Sequence, residues 1–166
     1  MNEMEARLGA AKSYGDVFTL VKECVYDSIR KRRAGLMLGL SHLGFSPRGF
    51  IGAYHQMGAN LIVLNADLLK RIINDRPQTL NYHVFHLLMH EYLHSLGFAD
   101  EYTTRQLSAA IAEDTFGSKS MITKIARDFD RYLPDLRFAP ANYRPPESAY
   151  VELISDFEKE DTGYIG

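Results

Sequence analysis

Four histidines recur at positions 83, 86, 90 and 94, and a glutamate follows the third of them. On a helix at about 100° per residue, the four imidazoles share an arc of roughly 80°. His90 and His94 stand four residues apart, which puts their Cβ atoms about 6 Å from each other on one face. Both rings can then converge on one ion at the roughly 2.0–2.1 Å of a Zn–N bond. With Glu91 the segment reads H-E-x-x-H, in which two imidazoles hold zinc and the carboxylate serves as general base toward a water. His83 and His86 are read as hydrogen-bonded core histidines, the usual state of an imidazole on an apolar helix.

The pattern continues as His90-Glu91-Tyr92-Leu93-His94-Ser95-Leu96-Gly97-Phe98-Ala99-Asp100, or H-E-x-x-H-x-x-G-x-x-D. Gly97 stands where a helix should stop and reverse, because glycine takes a left-handed conformation at little cost. The turn can swing Asp100 back toward the ion. Two histidines and one carboxylate leave the fourth tetrahedral position open, the arrangement of a catalytic zinc site. No cysteine lies nearby to build a closed structural one. Tyr54, His55, Tyr92 and Tyr102 are all chemically able to donate to an oxyanion.

The elements that must position these groups are legible in outline. Leu80 to Leu96 carries apolar residues around nearly its whole circumference, so this helix is buried, with Thr79 as its cap. A helix from Asp16 to Arg33, capped by Asp16, follows from the spacing of Val17, Leu20, Val21, Cys24 and Ile29. The short apolar runs Leu36–Leu38, Phe50–Tyr54 and Leu61–Leu64, punctuated by glycines and Pro47, predict a strand meander whose last two members form a hairpin. Asn65 caps a short helix through Ile73. Met121, Ile122, Ile125, Ala126, Phe129 and Leu133 keep helical spacing, with Met121 opening the helix as a core residue. Prolines from Pro134 to Pro146 predict an extended passage, read as a packing tail or a strap across the cleft. Tyr150, Leu153, Ile154 and Phe157 are spaced as an amphipathic helix. The parse is a domain at 1–133 and an extension at 134–166 packing on it, in an α+β class.

The 166 residues are 46% hydrophobic and 24% charged, which suits a globular domain with a substantial core. Nineteen basic against twenty-one acidic side chains give no global attraction to nucleic acid or anionic membrane. The run Arg30-Lys31-Arg32-Arg33 is read as complementing the C-terminus of its own helix. One cysteine, Cys24, and no apolar leader or spanning run set the expectation of a cytoplasmic protein.

From Met89 to about Tyr102 the chain resembles the zincin metallopeptidases, in particular the metzincin branch in its H-E-x-x-H-x-x-G-x-x-D form. The resemblance implies a small mixed β-sheet packed on a zinc-binding active-site helix, with further helices after it. It implies Zn2+ bound by His90, His94 and Asp100, with Glu91 activating water against the peptide bond of a peptide or protein substrate. That substrate would align as an added strand on a sheet edge. For the third ligand Glu101 and Glu113 are the alternatives, since the gluzincin branch takes a glutamate from the following helix. A zinc hydrolase of a non-peptide substrate and a non-catalytic zinc-binding domain are the competing functions.

Overall fold

The computed structural model describes residues 2–45, 49–133 and 150–158. Over these residues the chain is α+β, with six α-helices and one four-stranded mixed sheet. Two helices open it, α1 (Glu3–Ala10) and α2 (Tyr14–Ile29). Then come strands β1 (Met37–Ser41), β2 (Ala53–His55) and β3 (Leu61–Asn65), and helix α3 (Ala66–Asp75). Helices α4 (Leu80–Ser95), α5 (Glu101–Phe116) and α6 (Met121–Arg127) follow, and β4 (Glu152–Ile154) ends the described chain.

The strand order is β2-β3-β1-β4. The expected hairpin is present: β2 and β3 pair antiparallel, with Tyr54 opposite Val63. The expected meander is not, because β1 pairs with β3 in parallel, Leu38 opposite Ile62, leaving β2 at the edge. A parallel neighbour requires the chain to cross back outside the sheet, and Asn65 organises that crossing. Its buried side chain accepts from the N–H groups of Leu43, Asp67 and Leu68 and donates to the carbonyls of Gly44 and Ile51. One residue thus caps α3, as expected, and also ties down both ends of the loop before β2. Asn65→Ala strands the buried Gly44 carbonyl and removes the bond to the Ile51 carbonyl, so we expect a loss of about 2 kcal/mol, read as a lower urea midpoint at unchanged slope.

At the other edge β4 pairs antiparallel with β1, Ile154 opposite Leu38. This corrects the expected helix at Tyr150–Phe157: Tyr150 and Leu153 are exposed, and Phe157 enters the core stacked on Phe18. Glu158 then accepts from the Leu36 N–H and pairs with Lys22. The proline-rich passage read as a tail or strap lies outside the described residues.

Helix α4 runs through the core between the sheet and the other helices. Phe85, Leu88, Met89, Tyr92 and Leu93 are all fully buried, which is what its apolar circumference requires. Thr79 stands at its N-cap position, but the hydroxyl donates to the Arg76 carbonyl and caps nothing. Helix α2 starts two residues before the expected point, because Ser13 and not Asp16 is the capping side chain. It stops at Ile29, where Arg30 takes a left-handed conformation at φ 55°. Of the basic run, Arg30 caps α2 and lies with Arg32 over the Tyr26 ring in its last turn, as expected of cations at a helix C-terminus, and Arg33 serves another helix. Arg33 donates from its guanidinium to the carbonyls of Ser95, at the end of α4, and Ala59, in the hairpin loop. Its N–H donates to the Tyr92 hydroxyl. Arg33 thereby fixes the C-terminal end of α4 against the sheet.

Candidate metal centre

The imidazoles of His90 and His94 meet at the C-terminal half of α4, with 3.2 Å between their Nε2 atoms. The turn beyond them uses Gly97 at φ 110°, as the sequence leads one to expect, and the chain reverses into α5. The carboxylate that this reversal brings to the histidines is that of Glu101. One oxygen lies 2.7 Å from His94 Nε2 and 3.3 Å from His90 Nε2, and the other is 3.2 Å from His90. Asp100, the residue expected there, is exposed and caps α5, accepting from the Thr103 N–H and hydroxyl, each at 2.7 Å. Those hydrogen bonds hold its pKa below the usual carboxylate value. The cause is the pairing of arm length with position: a short side chain at the N-cap turns onto its own helix, and the longer one at the next position reaches across. Glu113, the other alternative, pairs with Arg127.

His94 has a fixed tautomer. Its Nδ1 lies 2.6 Å from the Phe98 carbonyl, which can only accept, so Nδ1 carries a proton and Nε2 is the nitrogen that faces Glu101. Phe98 O also lies 3.1 Å from the Thr104 hydroxyl, whose single proton it shares with the Asp100 carbonyl at 2.8 Å. Such a carbonyl behind a ligating imidazole orients the ring and sets which nitrogen binds. Burial lowers the pKa of His90, with Glu101 opposing. Glu101 is pushed up by desolvation, but His90 and His94 outweigh this and its pKa falls. An ionised carboxylate thus faces two imidazole Nε2 atoms at hydrogen-bond distance, a contact that a shared proton or a shared cation satisfies.

The donor set fits zinc. Tetrahedral coordination at 2.0–2.1 Å separates any two ligand atoms by about 3.3 Å. Two of the three Nε2 and Oε1 separations here, 3.2 and 3.3 Å, match that edge, and the third, His94 to Glu101 at 2.7 Å, is a hydrogen-bond contact that would open by about 0.6 Å around an ion. His90, His94 and Glu101 together leave the fourth position open toward the cleft.

Glu91 is buried, and its carboxylate lies within 4.8 Å of a nitrogen of each of these histidines. Burial pushes its carboxyl up to about 7; His94 opposes the rise, Glu101 adds to it, and the backbone N–H of His55 on β2 opposes it. A group with that pKa is matched to proton transfer near neutral pH. Of the four expected oxyanion donors, Tyr92 is excluded: it is fully buried, with its hydroxyl on Arg33. His55 Nε2 is committed to the Ala59 carbonyl. Tyr54 projects from the Val63 face of β2, opposite to the face shared by His55 and the core residue Ile62. Tyr102, exposed beside Glu101, remains available.

The centre opens into a cleft of about 900 Å³. The segment Gly49–Ala53 leading into β2 forms one wall, and Ala126 to Asp130 with Leu133 the other. Between them lie His86, Leu87, His90 and Glu91 of α4, with Glu101 and Arg105 of α5. The histidine stripe divides accordingly. His83 faces two carbonyls, Thr79 and Tyr132, and so pins the second wall to α4. His86 lines the cleft, and burial drives its pKa down to about 3.

That shift carries a sign. A histidine whose folded pKa lies below its unfolded value of about 6.5 is fully compatible with folding above pH 6.5 and costs stability as pH falls toward 3. Between pH 6.5 and 4.5 the expected loss from His86 is about 2 kcal/mol. Urea unfolding in chelator at the two pH values, compared between wild type and His86→Leu, checks it: the variant should lose less stability by that amount.

No helix among the described residues is long and apolar enough to cross a membrane. Compared with protein-family models, with curated proteins and with solved structures, the chain matches none.

Proposed function

We propose that the protein is a zinc-dependent peptidase in which His90, His94 and Glu101 hold the metal and Glu91 is the general base. The observation that supports this reading is the convergence of two imidazole nitrogens and one carboxylate oxygen within 2.7–3.3 Å of one another, beside the buried carboxylate of Glu91. A zinc ion held there supplies Lewis acidity for water activation and carbonyl polarisation. Glu91 takes the proton from the attacking water and passes it to the leaving amine, a role for which its raised pKa suits it. The edge strand β2 favours an extended peptide as substrate over a compact molecule. Its Gly49–Ala53 approach lines the cleft, and its outer backbone groups can pair with an added strand. A single, buried cysteine is in keeping with work in a reducing compartment such as the cytoplasm.

Elemental analysis of the purified protein tests the metal, and a peptide-library digest tests the reaction. The expected result is about one zinc per chain, lost in His94→Ala, with cleavage that follows the zinc. Wild-type protein that takes up no zinc on reconstitution would overturn the reading.

A further inference from the structure

Arg33 does not line the cleft, yet it joins the two elements that frame the proposed base. Glu91 extends from α4, and the main-chain N–H that it engages belongs to His55 on β2. The register of the hairpin explains why that N–H is free to do so. The Asn65 N–H donates to the Gly52 carbonyl at 2.9 Å, so Gly52 turns its backbone groups toward β3, and so, by the alternation of an antiparallel ladder, does Tyr54. His55, the next residue, turns its own outward from the sheet edge. The placement of the Glu91 carboxylate therefore depends on how β2 is held against α4.

One guanidinium bridges the two. Arg33 Nη1 donates to the Ser95 carbonyl at 3.0 Å, one residue past His94 at the end of α4, and Nη2 donates to the Ala59 carbonyl at 3.0 Å, in the hairpin loop. That same Ala59 carbonyl accepts from His55 Nε2 at 2.8 Å, so the loop is tied back onto the residue whose N–H meets Glu91. The Arg33 N–H adds a further link to α4 through the hydroxyl of Tyr92, the neighbour of Glu91 in the chain. A cation that merely complemented the C-terminus of α4 would act by charge, and lysine would serve as well. Spanning two fixed carbonyls on different elements requires the rigid fork of arginine. We infer that Arg33 is a positioning residue: by bridging Ser95 and Ala59 it holds the Glu91 carboxylate on the His55 N–H and so aims the base at the open side of the metal centre. The inference rests on Glu91 as the base of the peptidase reading and adds what aims it.

The test compares zinc-loaded wild type, Arg33→Lys and Arg33→Ala by amide hydrogen exchange and by steady-state kinetics; Arg33→Lys keeps the charge and decides the matter should Arg33→Ala not fold. In both variants the His55 amide should exchange at least about tenfold faster, while amides in the middle of α4 keep their rates and zinc content is unchanged. kcat should fall about tenfold with little change in KM, since a misplacement of about 1 Å can cost up to a hundredfold. Millimolar guanidinium ion, too dilute to denature, should restore part of the kcat of Arg33→Ala and none in Arg33→Lys, whose side chain fills the place. A His55 amide that exchanges in Arg33→Lys as it does in wild type would overturn the inference whether or not any peptide is cleaved, because charge alone would then suffice. An unchanged kcat beside faster exchange would overturn it too, as would loss of zinc from both variants. Wild-type protein that holds zinc and cleaves no peptide would instead overturn the peptidase reading, leaving the exchange result to judge the placement of Glu91.

Discussion

Glu101→Ala should weaken zinc binding by at least about a hundredfold, whereas Asp100→Ala in excess zinc should still hold one ion per chain. Changes to groups that merely orient metal ligands already cost about 10–100-fold, so removal of a ligand should cost no less. Glu101 is the carboxylate in contact with both imidazoles, at 2.7 Å from His94 and 3.2 Å from His90. Asp100 is one residue away, but its oxygen is occupied by Thr103. Its loss removes a helix cap worth about 1 kcal/mol and no ligand. Glu113→Ala should bind zinc as wild type does, since its carboxylate lies against Arg127. Competition with a chromogenic chelator measures all three. If Asp100→Ala lost the metal and Glu101→Ala kept it, the third ligand would return to the residue that the H-E-x-x-H-x-x-G-x-x-D pattern favours.

Glu91→Gln should lower kcat by about 10³-fold and leave zinc content unchanged. General base catalysis contributes roughly 10²–10⁴ in rate, and the amide cannot accept the proton. The substitution is isosteric, and the new carbonyl can still accept from the His55 N–H that the carboxylate now engages. The fold should therefore survive, which separates this variant from His94→Ala, where metal and activity go together. A Glu91→Gln protein that holds zinc and cleaves at the wild-type rate would place the base elsewhere.

Much of this centre can be read from spacing alone, because a helix converts a four-residue interval into a shared face without help from the rest of the fold. His90, Glu91 and His94 are of that kind. The hairpin at β2 and β3 and the cap at Asn65 are equally local and equally legible. What escapes such a reading is decided by competition between neighbours or by distant contacts. Asp100 and Glu101 both carry carboxylates at the right place in the chain, and the choice between them turns on which one caps α5. The D-x-x-T spacing of Asp100 and Thr103 is the signal that could have assigned Asp100 to the cap. The parallel pairing of β1 with β3 depends on the buried amide of Asn65 closing a loop more than twenty residues upstream. The Tyr150–Phe157 stretch has helical spacing but forms a strand, because the free edge of β1 and the pocket beside Phe18 accept it in extended form. Likewise, the service that Arg33 gives to α4 is invisible without knowing which carbonyls lie nearby.

Two of the proposed ligands belong to the interior of a long, buried helix, but the third is the first residue of the next one and is 61% exposed on its side chain. On the proposed ligand set, the lifetime of a bound ion would be governed by how often the opening turn of α5 frays, a local event far cheaper than global unfolding. Asp100 would then have a kinetic role without touching the metal, since the hydrogen bonds from Thr103 keep that turn wound. Weakening the cap should shorten zinc residence time by roughly the factor of five that 1 kcal/mol represents. Exchange with isotopically labelled zinc would then be faster in Asp100→Ala than in wild type, although both proteins hold the same amount of metal at equilibrium.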